Sequence, residues 1–108
     1  MKNFVLLYSG GEMPANEAEV NAVTKDWITW FEKAGSAVVD SGNPFTPVAK
    51  TIASDGKVSD GAVGTMANGY SIIKADSLDA AVKLAKGCPA LKSGSKITVY
   101  EVFPAPGM

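Results

Sequence analysis

The chain has 108 residues, a length that suits one domain and not two, and a net charge of −1 that gives no general attraction to nucleic acid or to an anionic membrane. Its basic residues are ten lysines with no arginine, and it has no histidine. Planar two-pronged recognition of phosphate or carboxylate is therefore missing from the side chains, as are the commonest metal ligand and the usual general base near neutral pH. A single cysteine, Cys88, excludes an internal disulfide and a multi-cysteine zinc site, and fits a reducing, cytoplasmic setting.

Phe4 to Tyr8 is apolar on both alternating faces, the pattern of a central strand covered on two sides. Lys2 precedes this run, but five or six apolar residues are too few for a secretory leader, and Ser9-Gly10-Gly11 ends it. No stretch approaches the roughly twenty apolar residues that span a bilayer. Gly10, Gly11 and Pro14 make a loop. Asn16 is placed to cap a helix that runs to about Ala34, with Glu19 completing a capping box. Val20, Val23, Trp27, Trp30 with Phe31, and Ala34 keep the 3.6-residue period, and Gly35 is positioned to end the helix.

Ser36 to Asp40 reads as a short strand, broken by the turn-forming Ser41-Gly42-Asn43-Pro44-Phe45. Val48 to Ile52 and Lys57 to Ser59 flank Ser54-Asp55-Gly56, so a hairpin with a two-residue Asp-Gly turn is expected. Residues 60–69 read as a flexible connection. Tyr70 to Ala75 is the next strand, with Ile72 and Ile73 on opposite faces. Asp76 and Ser77 are both cap candidates for a short helix whose stripe is Leu78, Ala81, Val82 and Ala85. Gly87, at positive φ, and Pro89 would stop that helix. Leu91 to Ser95 reads as a loop, Lys96 to Phe103 as a last strand rich in β-formers, and residues 103–108 as a tail.

The order is β-α-β, a hairpin, then β-α-β, which suggests a ferredoxin-like α+β sandwich with both helices on one face of the sheet. The other face would carry Tyr70, Ile72 and either Phe4, Leu6 and Tyr8 or Val5 and Leu7. An uncovered apolar sheet face is a liability that a two-fold homodimer removes.

The stretch from Asn68-Gly-Tyr-Ser-Ile-Ile-Lys-Ala-Asp-Ser-Leu to Ala85-Lys-Gly-Cys-Pro89, with Ile97-Thr-Val-Tyr-Glu-Val102, resembles the YciI-like, or YCII-related, domain family, including its DGPF branch. Phe4-Val-Leu-Leu-Tyr8 and Val39-Asp-Ser-Gly-Asn-Pro-Phe45 are similar to that family as well. The resemblance implies a dimeric α/β barrel of ferredoxin-like protomers, with a cleft between sheet, hairpin and partner. It carries no activity across. The helical region in which some members hold a catalytic-looking histidine reads Lys25-Asp26-Trp27 here. The DGPF signature is reduced to Asp60-Gly61-Ala62-Val63, and Glu101-Val102 is followed by Phe103-Pro104 rather than Arg-Pro.

Seven residues stand out as ligand-binding candidates: Tyr8, Asp40, Asn43, Asp60, Tyr70, Tyr100 and Glu101. Asp40, ending a strand beside Gly42-Asn43-Pro44, suits a turn cap first and a ligand group or base second. Asp60-Gly61 suits a loop needing positive φ before a ligand cradle. The three tyrosines suit core or interface anchors before cleft donors, and Trp27 and Trp30 suit packing before cofactor stacking. Glu101 stands between a solvent-reaching charge, a partner for Lys74 and a ligand group. Cys88, near a helix C-terminus with no histidine to activate it, is structural. No phosphate loop, metal triad, nucleophile elbow or dinucleotide fingerprint is present, so no cofactor is implied. The expectation is a small homodimer binding a small molecule at the sheet or dimer interface. The rival is a small enzyme pairing Asp40 or Glu101 with a tyrosine as acid and base on a modest apolar substrate.

Overall fold

The structure is a computed structural model that describes residues 1–11 and 15–104. The loop expectation at Pro14 and the tail beyond Pro104 lie outside the described residues. Strand β1 (Lys2–Gly10) leads to helix α1 (Glu17–Ala34), then β2 (Val38–Asp40), a hairpin of β3 (Lys50–Ile52) and β4 (Val58–Asp60), strand β5 (Ala67–Ala75), helix α2 (Leu78–Ala85) and β6 (Ser95–Glu101). Four strands form one antiparallel sheet in the order β2-β5-β1-β6, the ferredoxin-like arrangement, while β3 and β4 pair only with each other. The sheet is open, with no closed barrel in the single chain.

Register decides which residues face the helices. Phe4, Leu6 and Tyr8 alternate inward on β1, and Ser71, Ile73 and Ala75 inward on β5. They form the core with Trp30 of α1, Ala81 and Ala85 of α2, and Cys88 and Ala90 beyond it. The opposite face carries Val5 and Leu7, flanked by Ile72 and Tyr70 on β5 and by Tyr100 and Thr98 on β6. Of the two sets of β1 residues open to that face in the sequence, the structure therefore selects Val5 and Leu7.

The ends of both helices follow from side-chain chemistry. Asn16 Oδ1 accepts the Glu19 N–H at 2.9 Å, and the Glu19 carboxylate accepts the Ala15 N–H at 2.7 Å, one residue ahead of the cap itself. Ser77, not Asp76, caps α2 by accepting the Ala80 N–H. Gly87 does not adopt positive φ. Instead its bare Cα lies under the Trp30 indole, whose Nε1–H donates to the Leu84 carbonyl at 3.3 Å. The same carbonyl accepts the Gly87 N–H at 3.2 Å, so an end carbonyl of α2 is shared between the chain's own turn and an aromatic side chain from α1. On α2 the buried line is Ala81 and Ala85, while Leu78 and Val82 remain exposed, because the helix presents its small residues to the sheet and allows close approach.

Four further expectations are corrected. The segment before β2 is a 3₁₀ turn, Gly35–Ala37, so the strand keeps only three residues. The hairpin turn holds three residues: Gly56 donates to Ala53 C=O, Ala53 donates to Lys57 C=O, and Gly56 sits at φ 90°, the pattern of a type I turn closed by a glycine bulge. The supposed connection 60–69 contributes its ends to β4 and β5. The supposed loop 91–95 belongs largely to a 3₁₀ segment, Pro89–Ser93, and β6 stops at Glu101, although Val102 N–H still donates to Asn3 C=O.

Candidate functional site

Where α1 passes the end of β1, the two layers are not fully packed. Trp27, Phe31 and Thr24 face a part of the sheet edge built from Gly10, Gly11, Gly42, Gly69 and Ser71, residues with little or no side chain to fill the space. A cavity of about 410 Å3 remains, completed by Tyr8, Ser41, Asn43, Pro44, Asn68, Tyr70, Ala90, Ser93 and Ser95. Its size is within the range of small-molecule sites, about 300–1,000 Å3. Among the described residues no lysine, aspartate or glutamate lines it.

The wall formed by the β2–β3 connection depends on Gly42. At φ 79°, a Cβ there would overlap the Tyr70 carbonyl, so only glycine lets the chain turn this close to β5. Asp40 holds the turn by accepting the Gly42 N–H at 2.8 Å through Oδ1. The chain then continues along β5, with Tyr70 N–H donating to Asn43 C=O and Phe45 N–H to Asn68 C=O.

The opposite wall is aromatic. Trp27 meets Tyr8 edge-on at 5.3 Å between ring centroids, and Phe31 lies 5.6 Å from Trp27 and 5.1 Å from Trp30. These contacts fix the rings that border the cavity from the α1 side. Beneath them runs a hydrogen-bonded chain of small groups. Tyr8 Oη donates to Ser71 Oγ at 2.8 Å, Ser71 Oγ donates to the Ser41 carbonyl at 2.8 Å, and Cys88 Sγ lies 3.9 Å from Tyr8 Oη. Burial pushes the Tyr8 phenol well above its ordinary range and raises the Cys88 thiol too, so both keep their protons at neutral pH.

The seven sequence candidates divide by place. Tyr8 and Asn43 line the cavity, and Tyr70 borders it from a strand position whose side chain belongs to the open face. Asp40 stands next to the cavity, its Oδ2 accepting from the Tyr70 hydroxyl at 3.3 Å. The other three are elsewhere. Asp60 lies on the hairpin and pairs with Lys50 at 2.9 Å, and Tyr100 is exposed on the open sheet face. Glu101, opposite Phe4 at the sheet edge, pairs with Lys2 at 3.4 Å rather than with Lys74. The cavity also lies between α1 and the sheet, on the helix-clad side and away from the hairpin.

The sequence set Trp27 and Phe31 in the packing stripe of α1, with ring stacking second for Trp27, and did not single out Ser71. Ser71 carried a usable signal: a hydroxyl at the middle of three inward positions, Gly69, Ser71 and Ile73, on a strand with an apolar face. A polar group in such a place needs a buried partner or a ligand. Among the described residues no group of three or more His, Cys, Asp or Glu side chains is arranged to hold a metal ion. No described helix is long and apolar enough to cross a membrane.

Comparison with known proteins follows the same lines. No curated protein matches the chain in sequence. Among solved structures the chain is similar to 5-chloro-2-hydroxyhydroquinone dehydrochlorinase from Burkholderia phenoliruptrix AC1100, determined in complex with 2,5-dihydroxybenzoquinone. The TM-score is 0.55 at 17% identity, over 94% of this chain and 95% of that one, a likeness of fold. A family model for the YCII-related domain matches residues 4–106, from the first buried residue of β1 past the last strand. Strand order, helix placement and this nearly full-length match agree, and the chain belongs to the YCII-related domain family.

Proposed function

We propose that the protein binds a small, uncharged aromatic molecule in the cavity between α1 and the sheet. The observation that carries this reading is the lining itself: aromatic rings on one wall, backbone and neutral hydroxyl and amide groups on the other, and no charged side chain among the described residues. A charged ligand would lose its hydration there without a partner, whereas a neutral ring replaces water against Trp27, Phe31 and Tyr8. The similar fold that holds 2,5-dihydroxybenzoquinone supports a ring-shaped ligand. Phenol titrated into 15N-labelled protein is expected to shift one of the two tryptophan indole N–H signals saturably, the signal that Trp27→Phe removes. Trp27→Ala is expected to weaken binding about fivefold through lost ring contact. Failure of phenol to shift either signal saturably overturns the reading.

The protein acts as a homodimer in this reading, joined through the open sheet face. Tyr100 and Val39 are about half exposed there, and Val5, Leu7 and Ile72 form an apolar strip that a second copy would cover. Light scattering at micromolar concentration is expected to give the mass of two chains, and a mass near one chain rejects the dimer. The free, buried Cys88 supports a reducing, cytoplasmic setting.

One contact favours a second reading, a small enzyme with a carboxylate–tyrosine pair: the hydrogen bond from Tyr70 to Asp40. The dehydrochlorinase similarity suggests the assay, chloride release from a chlorinated hydroquinone. Turnover that Asp40→Asn abolishes supports this reading, and absence of chloride release from the unmodified protein rejects it.

A further inference from the structure

The hydroxyl protons around the cavity can be assigned without seeing them, because backbone carbonyls only accept. Ser71 Oγ lies 2.8 Å from the Ser41 carbonyl, so the Ser71 proton is engaged there. Tyr8 Oη lies 2.8 Å from Ser71 Oγ, whose proton is already directed elsewhere, so Tyr8 must be the donor of that pair. Thr24 donates to the Val20 carbonyl and Ser95 to the Gly10 carbonyl by the same reasoning. Tyr70 donates to the Asp40 carboxylate, so five lining hydroxyls have no proton left for a ligand. The two of them that are buried, Tyr8 at 6% and Ser71 at 1% exposure, retain only lone pairs. Among the described residues the remaining side-chain donors of the lining belong to Trp27 on the α1 wall, to the exposed Ser41, Asn43 and Asn68, and to Ser93 in the 3₁₀ segment.

We propose that the buried floor of the cavity is a hydrogen-bond acceptor, that the site selects an aromatic ring carrying an O–H or N–H donor over an acceptor-only ring of the same size, and that Ser71 sets this polarity. The proposal rests on the ring-binding reading above and gives it a chemical sense. A donor ring meets the lone pair that Ser71 keeps after accepting from Tyr8, and the Tyr8 oxygen, which otherwise accepts only the weak Cys88 S–H at 3.9 Å. An acceptor ring brings its own lone pairs against them and leaves both sides desolvated and unpaired, which costs about tenfold or more in affinity. Ser71 determines the direction because it orients the Tyr8 proton away from the cavity. Tyr8 is the only phenol in the hydrogen-bonded chain, and burial keeps it protonated, so the arrangement does not reverse near neutral pH.

Phenol and pyridine N-oxide test this directly, being neutral, similar in size and opposite in hydrogen-bonding sense. Both are titrated against the unmodified protein, with the tryptophan indole signals as the readout. Phenol is expected to bind at least about tenfold tighter. Ser71→Ala removes the acceptor of the Tyr8 proton and frees it for a ligand, so the ratio is expected to fall about tenfold toward the N-oxide. Tyr8→Phe leaves the Ser71 proton on the Ser41 carbonyl, so the preference for phenol is expected to persist. Equal binding of the two probes to the unmodified protein, or tighter binding of the N-oxide, overturns the proposal while the ring-binding reading stands. A folded Ser71→Ala protein with an unchanged ratio also overturns it. If neither probe binds, both fall. Should Ser71→Ala fail to fold, the ratio in the unmodified protein and in Tyr8→Phe decides.

Discussion

The two faces of the four-stranded sheet are built from alternate residues of the same strands, yet they have different fates. On the helix-clad face Phe4, Leu6 and Ile73 are fully buried, and Tyr8 and Ser71 continue that line to the cavity. On the open face Val5, Leu7, Tyr70 and Ile72 are only half-buried, and Tyr100 is exposed. Composition does not separate them, since both rows are largely apolar. What separates them is the crossover: each helix returns over the same side of the sheet, because a β-α-β connection has one favoured hand. The lesson is that a residue one step along β1 moves from the centre of the core to a surface that needs a partner.

Substitutions sharpen this comparison. The largest effect is expected from Phe4→Ala, which empties a fully buried site and should cost about 3–5 kcal/mol by denaturant unfolding. Its neighbour Val5→Ala should cost under about 1.5 kcal/mol in the single chain and act mainly on association. Equal losses at the two positions would contradict the assignment of faces. Gly42→Ala comes next. It places a Cβ onto the Tyr70 carbonyl at a positive φ, and a loss of about 3 kcal/mol, with loss of phenol binding, is expected from thermal melts and titration.

An alkaline effect follows. The raised Tyr8 and Cys88 groups stay protonated in the folded protein after the unfolded chain has begun to ionise. Their contribution is therefore complete below their ordinary ranges and is lost as pH rises above them, by up to about 1.4 kcal/mol per unit and group. Tyr8→Phe should flatten that alkaline slope in pH-dependent unfolding. Lys2→Ala should do least, about 0.5 kcal/mol or less, because both side chains of the Lys2–Glu101 pair are half or more in solvent. A larger loss there would mean that this edge of the open sheet is covered.

Much of the fold was legible in the chain. The alternation of Phe4 to Tyr8, the Asn16 cap and the Trp27-Trp30-Phe31 stripe each rest on contacts within a few residues, where spacing alone carries the information. The site was less legible. Tyr8, Asn43 and Tyr70 came through as candidates because their side chains are conspicuous. Ser71 did not, because its role depends on the Ser41 carbonyl thirty residues away. Glu101 stood out as a charge among apolar neighbours and Asp60 as part of the shortened DGPF signature, but each meets a lysine in solvent, a pairing that strand register and the hairpin turn determine.

The sequence by itself determined the element order, the exclusion of histidine, arginine and disulfide chemistry, and the family resemblance, all of which are read from residue types and short spacings. Tertiary structure alone decided that Val5 and Leu7 form the open face and that the Trp30 indole reaches the Leu84 carbonyl at the end of α2. It also decided that a cavity lies where the rings of α1 oppose the glycines of β1, β5 and the loop after β2. The physical reason is that packing joins residues far apart in the chain, and an unfilled space belongs to none of them singly.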